Sequence, residues 1–510
     1  MSSYPTRLRR VLREALERLR QPRVLGVAVG VVVLVDVALR VGGSAGGQAP
    51  IVWDAAHYWG LAGVVSGGDL LLLAGGDAFR PPVYPFFLAC CQLLFGSHAL
   101  LAAVVLQHLM GIATNLLCAW MVGRITGSRL MILLTAALSV GFQSRAWFAN
   151  ALMSETLFCF SLMCSFVALF AWLDRPDRSR AALIGITLGF SILVRPVAQA
   201  LWILFGFVML LRAPWREAGA SRRGTIAMLA LMLAGIALCT GPWITRNYVL
   251  FDRPFLTSAL GRNLWLSCFA KSHAEPLPIP EGKAMEEVLQ RLESSPAVTF
   301  AETWQVHWAL LQTGLSEVEA DSLMLAASVE TIRGSPGLFA AVVLERIPRY
   351  WHIESIRAGL SPRSWDVLVG RERYADGTVD LYRGQAQWRS ERWDRAYESL
   401  PSAFRRPTLV QNSIFACLAF LGSIGLMLGP TQRALGAALA LSFAYFCFLT
   451  CLVELPVYRY RAVIEPLMLV ACCAGIPALL QRPQASGAQP PAAPRDRESP
   501  GTGVLPRSGG

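Results

Sequence analysis

The sequence predicts an all-α polytopic membrane protein: a bundle of about ten transmembrane helices with a first loop and one larger region on the outer face. Three observations predict it. Of 510 residues, 54% are hydrophobic and 16% are charged, with a mean hydropathy of +0.45, whereas a globular domain carries about 25% charged residues. Apolar runs long enough to approach a bilayer's thickness recur along the chain. The short loops between them alternate in Arg content, as expected when alternate loops face the cytoplasm.

The runs cover residues 24–41, 99–123, 130–146, 156–173, 181–194, 197–211, 225–245, 409–428, 434–453 and 463–480. The first is too long for the apolar core of a cleaved signal and reads as an anchor that stays. A further apolar segment, 83–95, has 13 residues, which at 1.5 Å per residue covers roughly 20 Å against a hydrocarbon core of about 30 Å. It reads as re-entrant or interfacial. With the N-terminus inside and this segment not crossing, the inside loops hold Arg124 and Arg129, then Arg175, Arg178 and Arg180, then Arg212, Arg216, Arg222 and Arg223, then Arg433, then Arg482. If the segment crossed, every later loop would change sides and the charge rule would fail repeatedly.

The resulting organisation is a basic cytoplasmic N-terminus (1–23), a transmembrane core (24–245) with the first outer loop at 42–98, an extracytoplasmic region (246–408), C-terminal transmembrane helices (409–480) and a disordered cytoplasmic tail (481–510) rich in Pro, Gly, Ser and Ala. An amphipathic helix lying against the membrane is expected near 335–351. The net charge of +12 is almost wholly Arg, because Lys271 and Lys283 are the only lysines. Arg7, Arg9, Arg10, Arg13, Arg18, Arg20 and Arg23 precede the first apolar run, a pattern of membrane orientation and not of nucleic-acid binding. The 12 cysteines fall mostly inside apolar runs and form no CxxC pair, so neither a disulfide framework nor a zinc site is indicated. P-loop, GxGxxG, GxSxG and HExxH patterns are all absent, which leaves nucleotide-driven pumping, serine hydrolysis and zinc proteolysis without support.

Chemistry is therefore sought on the outer face. Asp54, in Trp53-Asp54-Ala55-Ala56-His57-Tyr58, follows the first crossing; it fits a base toward an acceptor hydroxyl and equally a solvated loop aspartate or a helix N-cap. Arg80 precedes Pro81-Pro82-Val83-Tyr84-Pro85, and its planar fork suits a phosphate, though an interfacial anchor has the same pattern. Glu155, in Ser154-Glu155-Thr156, stands at the outer end of an apolar helix, where an ionisable group is expensive and often functional and where an acid also complements the helix dipole. Arg195, in Leu193-Val194-Arg195-Pro196, breaks two apolar runs; Trp243, Arg246 and Asn247 end the seventh; Arg459, Tyr460 and Arg461 lie between the last two. Each arginine alone fits a snorkelling anchor. Outer loops are nevertheless not where short-loop Arg is expected, and together these arginines favour an anionic ligand such as a lipid phosphate.

Taken in order, Asp54 and Tyr58, Arg80-Pro81-Pro82-Val83-Tyr84-Pro85, Ser154-Glu155, Leu193-Val194-Arg195-Pro196, Pro242-Trp243-Ile244-Thr245-Arg246-Asn247-Tyr248 and Arg459-Tyr460 leading to Glu465-Pro466 resemble the membrane glycosyltransferases of the GT-C fold. The resemblance is closest to the bacterial group similar to protein O-mannosyltransferases and to the lipid A aminoarabinose transferase. It implies a hexosyl or pentosyl transferase of the bacterial inner membrane, with its active site facing the periplasm. The donor would be a polyprenyl-phosphate sugar, and the acceptor a hydroxyl on a lipid, a glycan or a protein, attacked with inversion. By the same resemblance Asp54 takes the acceptor proton and Glu155 is a second acid of the site. Arg80, Arg246 and Arg459 hold the donor phosphate, and His57, Tyr58, Tyr84, Arg195, Trp243, Asn247 and Tyr460 support them. Glu155 has no neighbouring acid, so the sequence supports no divalent metal. The alternative is a lipid-linked saccharide flippase or transporter, which would place charges near the bilayer midplane and in which internal repeats are common. Here the charges sit at helix ends except for Asp36, and no internal repeat is visible.

Overall fold

The computed structural model describes residue 17 and residues 21–44, 54–74, 77–141, 148–212, 222–269, 277–293, 303–352, 409–429, 432–456 and 458–480. The expected tail at 481–510 and much of the outer region, 353–408, lie outside them. Among the described residues the regular elements are all helical.

Among the described residues, each apolar run of the sequence lies mainly on a helix. In chain order the transmembrane half contains α1 (Pro22–Ser44), α2 (Asp54–Ser66), α3 (Val83–Phe95), α4 (Ala99–Thr126), α5 (Arg129–Val140), α6 (Glu155–Asp174), α7 (Arg178–Val194), α8 (Leu201–Arg212) and α9 (Arg222–Phe251). A second set follows: α10 (Leu260–Phe269), α11 (Lys283–Leu292), α12 (Thr303–Gln312), α13 (Glu317–Gly334) and α14 (Pro336–His352). The chain closes with α15 (Leu409–Leu428), α16 (Arg433–Val453), the single turn and a half of α17 (Tyr458–Ala462) and α18 (Glu465–Leu480). By length and composition the spans 22–41, 83–126, 155–174, 223–251 and 433–453 can each cross a membrane, and shorter apolar helices occupy 129–140, 196–212, 414–428 and 465–480.

Exposure confirms the solvent these helices need. Val27, Leu34, Leu238 and Leu480 are each about two-thirds or more exposed, a distribution untenable in water and natural against lipid tails. Since lipid supplies no hydrophobic drive between helices, close backbone approach must do so. A Cβ on Gly475 would fall 1.8 Å from the carbonyl oxygen of Gly422, so α15 and α18 touch backbone to backbone there. The crossing of α7 and α9 is built the same way, Gly185 lying against the Met232 carbonyl.

One boundary differs from the sequence reading. Helix α9 runs past 245 to Phe251 and carries Pro242 within it, so the Trp243–Asn247 segment is helical. Helix α5 begins at a Ser128 cap and runs to Val140; residues 142–146 of the run 130–146 lie outside the described residues. Segment 83–95 is, as expected, a separate helix with those bounds; it ends at Gly96, whose φ of 51° permits the sharp entry through a 3-10 turn into α4. The amphipathic helix expected at 335–351 is α14.

Candidate functional site

The two acids of interest stand in the first turns of α2 and α6, where the helix dipole favours negative charge. The arginines stand where helices are interrupted. Arg80 precedes two prolines; Arg195 is extended (φ −147°, ψ 120°) because Pro196 follows it; Arg459 lies on α17 between two apolar helices. Folding brings these five helix ends together.

Asp54 is the centre. Its Oδ1 is paired with Arg80 Nη2, and its Oδ2 accepts from both terminal nitrogens of Arg459 at 3.1 Å. Arg459 Nε is 3.0 Å from Glu155 Oε1, and Arg195 Nη1 reaches the same oxygen at 2.6 Å. Three guanidiniums thus hold two carboxylates in one chain of ion pairs. The two acids differ in access: the Asp54 side chain is 21% exposed and that of Glu155 1%. Tyr460 lies beside the chain, its ring 5.8 Å from the Arg195 guanidinium and 5.5 Å from that of Arg459. Burial alone would raise the Asp54 carboxyl, but Arg80 and Arg459 outweigh it and hold it well below the usual carboxylate range. Arg459, despite burial, is pushed well above its ordinary value, chiefly by Glu155.

Arg80 is itself braced. Its Nη1 donates to Tyr58 Oη at 3.4 Å and its Nε to His57 Nδ1 at 3.5 Å, while its guanidinium covers the Tyr58 ring at 4.7 Å and the Phe79 ring at 4.4 Å. Tyr58 Oη in turn donates to Ser154 Oγ at 3.3 Å, tying α2 to the start of α6. Tyr84 packs edge-on against Tyr58 and donates to Gln107 at 2.9 Å; it supports the wall and does not touch the acids.

The α9 residues take a different place. Arg246 Nε donates to the Leu71 carbonyl at 2.9 Å and Nη2 to the Leu72 carbonyl, and Nη1 donates to Asn247 Oδ1 at 2.8 Å. Asn247 and Trp243 donate to the Phe255 and Leu256 carbonyls at 2.8 and 2.9 Å. Leu72 has a φ of 53°, a left-handed conformation that costs a residue with a Cβ on the order of 1–3 kcal/mol. The Arg246 fork pins that strained loop, so these three residues form a clamp beside the Asp54 cluster.

Four residues on the other flank escaped the sequence reading. Asp77 Oδ2 is 2.6 Å from His57 Nε2, and its Oδ1 accepts the backbone N–H groups of Phe79 and Arg80 at 3.1 and 3.3 Å. Phe79 is sandwiched between Arg80 and Arg262, whose guanidinium is 3.5 Å from the ring centre. Glu317 accepts from the Ala78 N–H at 3.4 Å, stitching α13 to the segment before α3. Burial and the neighbouring Asp77 push Glu317 up to about 7, and burial with the charge of Arg80 pushes Arg262 down to about 10. The one signal available was an aspartate three residues ahead of Arg80, the spacing of a side chain that caps its own turn.

Among the described residues no group of three or more His, Cys, Asp and Glu side chains is placed to hold a metal ion. Asp54 and Glu155 face guanidiniums whose charge opposes a cation, so this donor set does not fit a divalent metal.

No protein-family model matches the chain, and no curated protein matches it in sequence. Among solved structures the chain is similar to ArnT from Cupriavidus metallidurans bound to undecaprenyl phosphate, at 15% identity over 88% of this chain and 78% of that one with a TM-score of 0.33. It is similar at 13% identity, with the same coverage and TM-score, to ArnT from Cupriavidus metallidurans in the apo state.

Proposed function

We propose that this membrane protein is a glycosyltransferase that moves a sugar from a polyprenyl-phosphate-linked donor to an acceptor hydroxyl at the outer face of the bacterial inner membrane, with inversion. The observation that carries the reading is Asp54: a part-exposed carboxylate set between Arg80 and Arg459 at the ends of apolar helices. A base and fixed cations at bilayer-surface height are what such a transfer needs. In the step, the acceptor oxygen bonds to the anomeric carbon while the bond from that carbon to the phosphate oxygen breaks. The acceptor proton passes to Asp54, and the electron pair of the broken bond leaves on the phosphate, whose charge the guanidiniums offset. Glu155, buried beneath Arg459 and Arg195, anchors these arginines and is shielded from substrate. The acceptor is a lipid, glycan or protein hydroxyl presented from the periplasm.

The test is transfer of radiolabelled sugars from a panel of polyprenyl-phosphate donors by the purified protein in nanodiscs. A labelled acceptor supports the proposal. Flipping of lipid-linked sugar with no transfer from any donor would replace it with a transporter, for which the buried Asp36–Arg40 pair in α1 (2.9 Å), with Asn115 at 2.9 Å from Asp36, is the intramembrane charge such a protein would use.

A further inference from the structure

Asp54 as paired here is a weak base. A carboxylate shared by two guanidiniums is held in its charged form, and its affinity for a proton is correspondingly low. To accept a proton at a useful rate it must lose one partner. The two partners are not equally free to leave. Arg80 is braced by Tyr58, His57 and the Phe79 ring. Arg459 sits on a five-residue helix between two longer ones, its side chain 22% exposed; it meets the Asp54 and Glu155 carboxylates and lies over the Tyr460 ring at 5.5 Å, with Tyr58 and Glu454 within electrostatic reach. When Arg459 swings from the acids, Glu155 keeps Arg195 at 2.6 Å and Asp54 keeps Arg80, so no carboxylate is left without a cation. That matters because an uncompensated buried charge is the expensive outcome of breaking such a pair.

We propose that the anionic phosphate of the donor lipid competes with Asp54 for Arg459, so that donor binding releases the carboxylate and turns it into a working base; this rests on the transferase reading above. The shared chemistry is a phosphate monoester or diester that takes the planar guanidinium fork as a carboxylate does. Base strength then depends on donor occupancy, and the donor binds before the acceptor is deprotonated.

The experiment reads the apparent pKa of Asp54 in the full-length protein in nanodiscs, as the carboxyl stretch in infrared difference spectra that is lost in Asp54→Asn. Undecaprenyl phosphate, the uncharged polyprenol and inorganic phosphate are compared. Undecaprenyl phosphate is expected to raise the value by at least one unit, a tenfold gain in proton affinity, while polyprenol leaves it unmoved. Arg459→Gln, or the milder Arg459→Lys, is expected to raise it without lipid and to abolish the response. A response to inorganic phosphate but not to the lipid would overturn the donor as trigger, and so would a titration that stays fixed while the lipid demonstrably binds, or a lipid that does not bind. The two proposals fail separately: a lipid-dependent titration with no sugar transferred sinks the transferase alone, and Asp54-dependent transfer with a fixed titration sinks the release of Asp54 alone.

Discussion

Arg459 and Asp54 are 405 positions apart in sequence, yet both terminal nitrogens of the guanidinium stand 3.1 Å from Asp54 Oδ2. This contact joins the last pair of apolar helices to the start of α2, and through Arg459 Nε it continues to Glu155 at the head of α6. The predictions below follow from what each neighbour of that contact is bonded to.

Asp77 acts on Asp54 only through His57 and Arg80. Asp77→Asn keeps the side chain's size but weakens its hold on His57, so it is expected to lower kcat with little change in KM for the donor, and by less than the 10²–10⁴-fold that loss of a general base typically costs. Asp77→Glu should restore part of the rate. An unchanged kcat in Asp77→Asn would show that Arg80 needs no such brace.

Arg246 commits all three of its guanidinium nitrogens to Leu71, Leu72 and Asn247. Arg246→Gln is therefore expected to lower the thermal unfolding temperature while leaving the KM for a polyprenyl-phosphate donor within about twofold, because a broken buried network is felt as stability. A large rise in KM with the unfolding temperature unmoved would instead make Arg246 a phosphate ligand.

The contrast between Arg246 and Arg459 shows what the sequence could and could not disclose. Ionisable residues at the outer ends of apolar runs are conspicuous because lipid makes them costly, so Asp54, Arg80, Glu155, Arg195, Arg459 and Arg246 all stand out, and so does the membrane-spanning, all-helical fold. Which arginine meets which partner depends on long-range packing: Arg246 and Arg459 look alike in sequence and differ because α9 runs on to Phe251, which places Arg246 beside a strained loop. Asp77, Phe79, Arg262 and Glu317 were hidden by their setting. Asp77 follows Gly75-Gly76 and looks like a solvated turn, and Glu317 and Arg262 belong to a more polar stretch with no apolar contrast to mark them.

Glu317 predicts a pH effect of definite sign. Its ordinary value of 4.5 is raised in the fold to about 7 by burial and then by Asp77, so the folded state favours the protonated form. The stability this contributes is fully present below pH 4.5 and is lost as the pH rises from there through about 7. Glu317→Gln should lose less stability than the parent between pH 5 and pH 8, read by thermal unfolding at each pH. His307, lowered from 6.5 to about 4 by burial and Arg262, gains stability as the pH rises through that range, and it does so equally in both proteins. Parallel curves for the two proteins would contradict the burial of Glu317.

Gly475 leaves no room for a Cβ against the Gly422 carbonyl. Gly475→Val must part α15 from α18 and is expected to lower the unfolding temperature and the yield of folded protein, whereas the same change at Gly224, which has open space around its Cα, should not. Equal effects at both positions would contradict the backbone contact.

The most direct test compares sugar transfer by the parent protein with that by Asp54→Asn at equal expression and equal unfolding temperature, using membranes as acceptor source and the donor that the parent protein uses. Asn keeps the shape and can still accept a hydrogen bond from Arg80, but it cannot take a proton as a carboxylate does, and transfer should fall by about 10²–10⁴-fold. Transfer by Asp54→Asn at the parental rate would contradict Asp54 as the base.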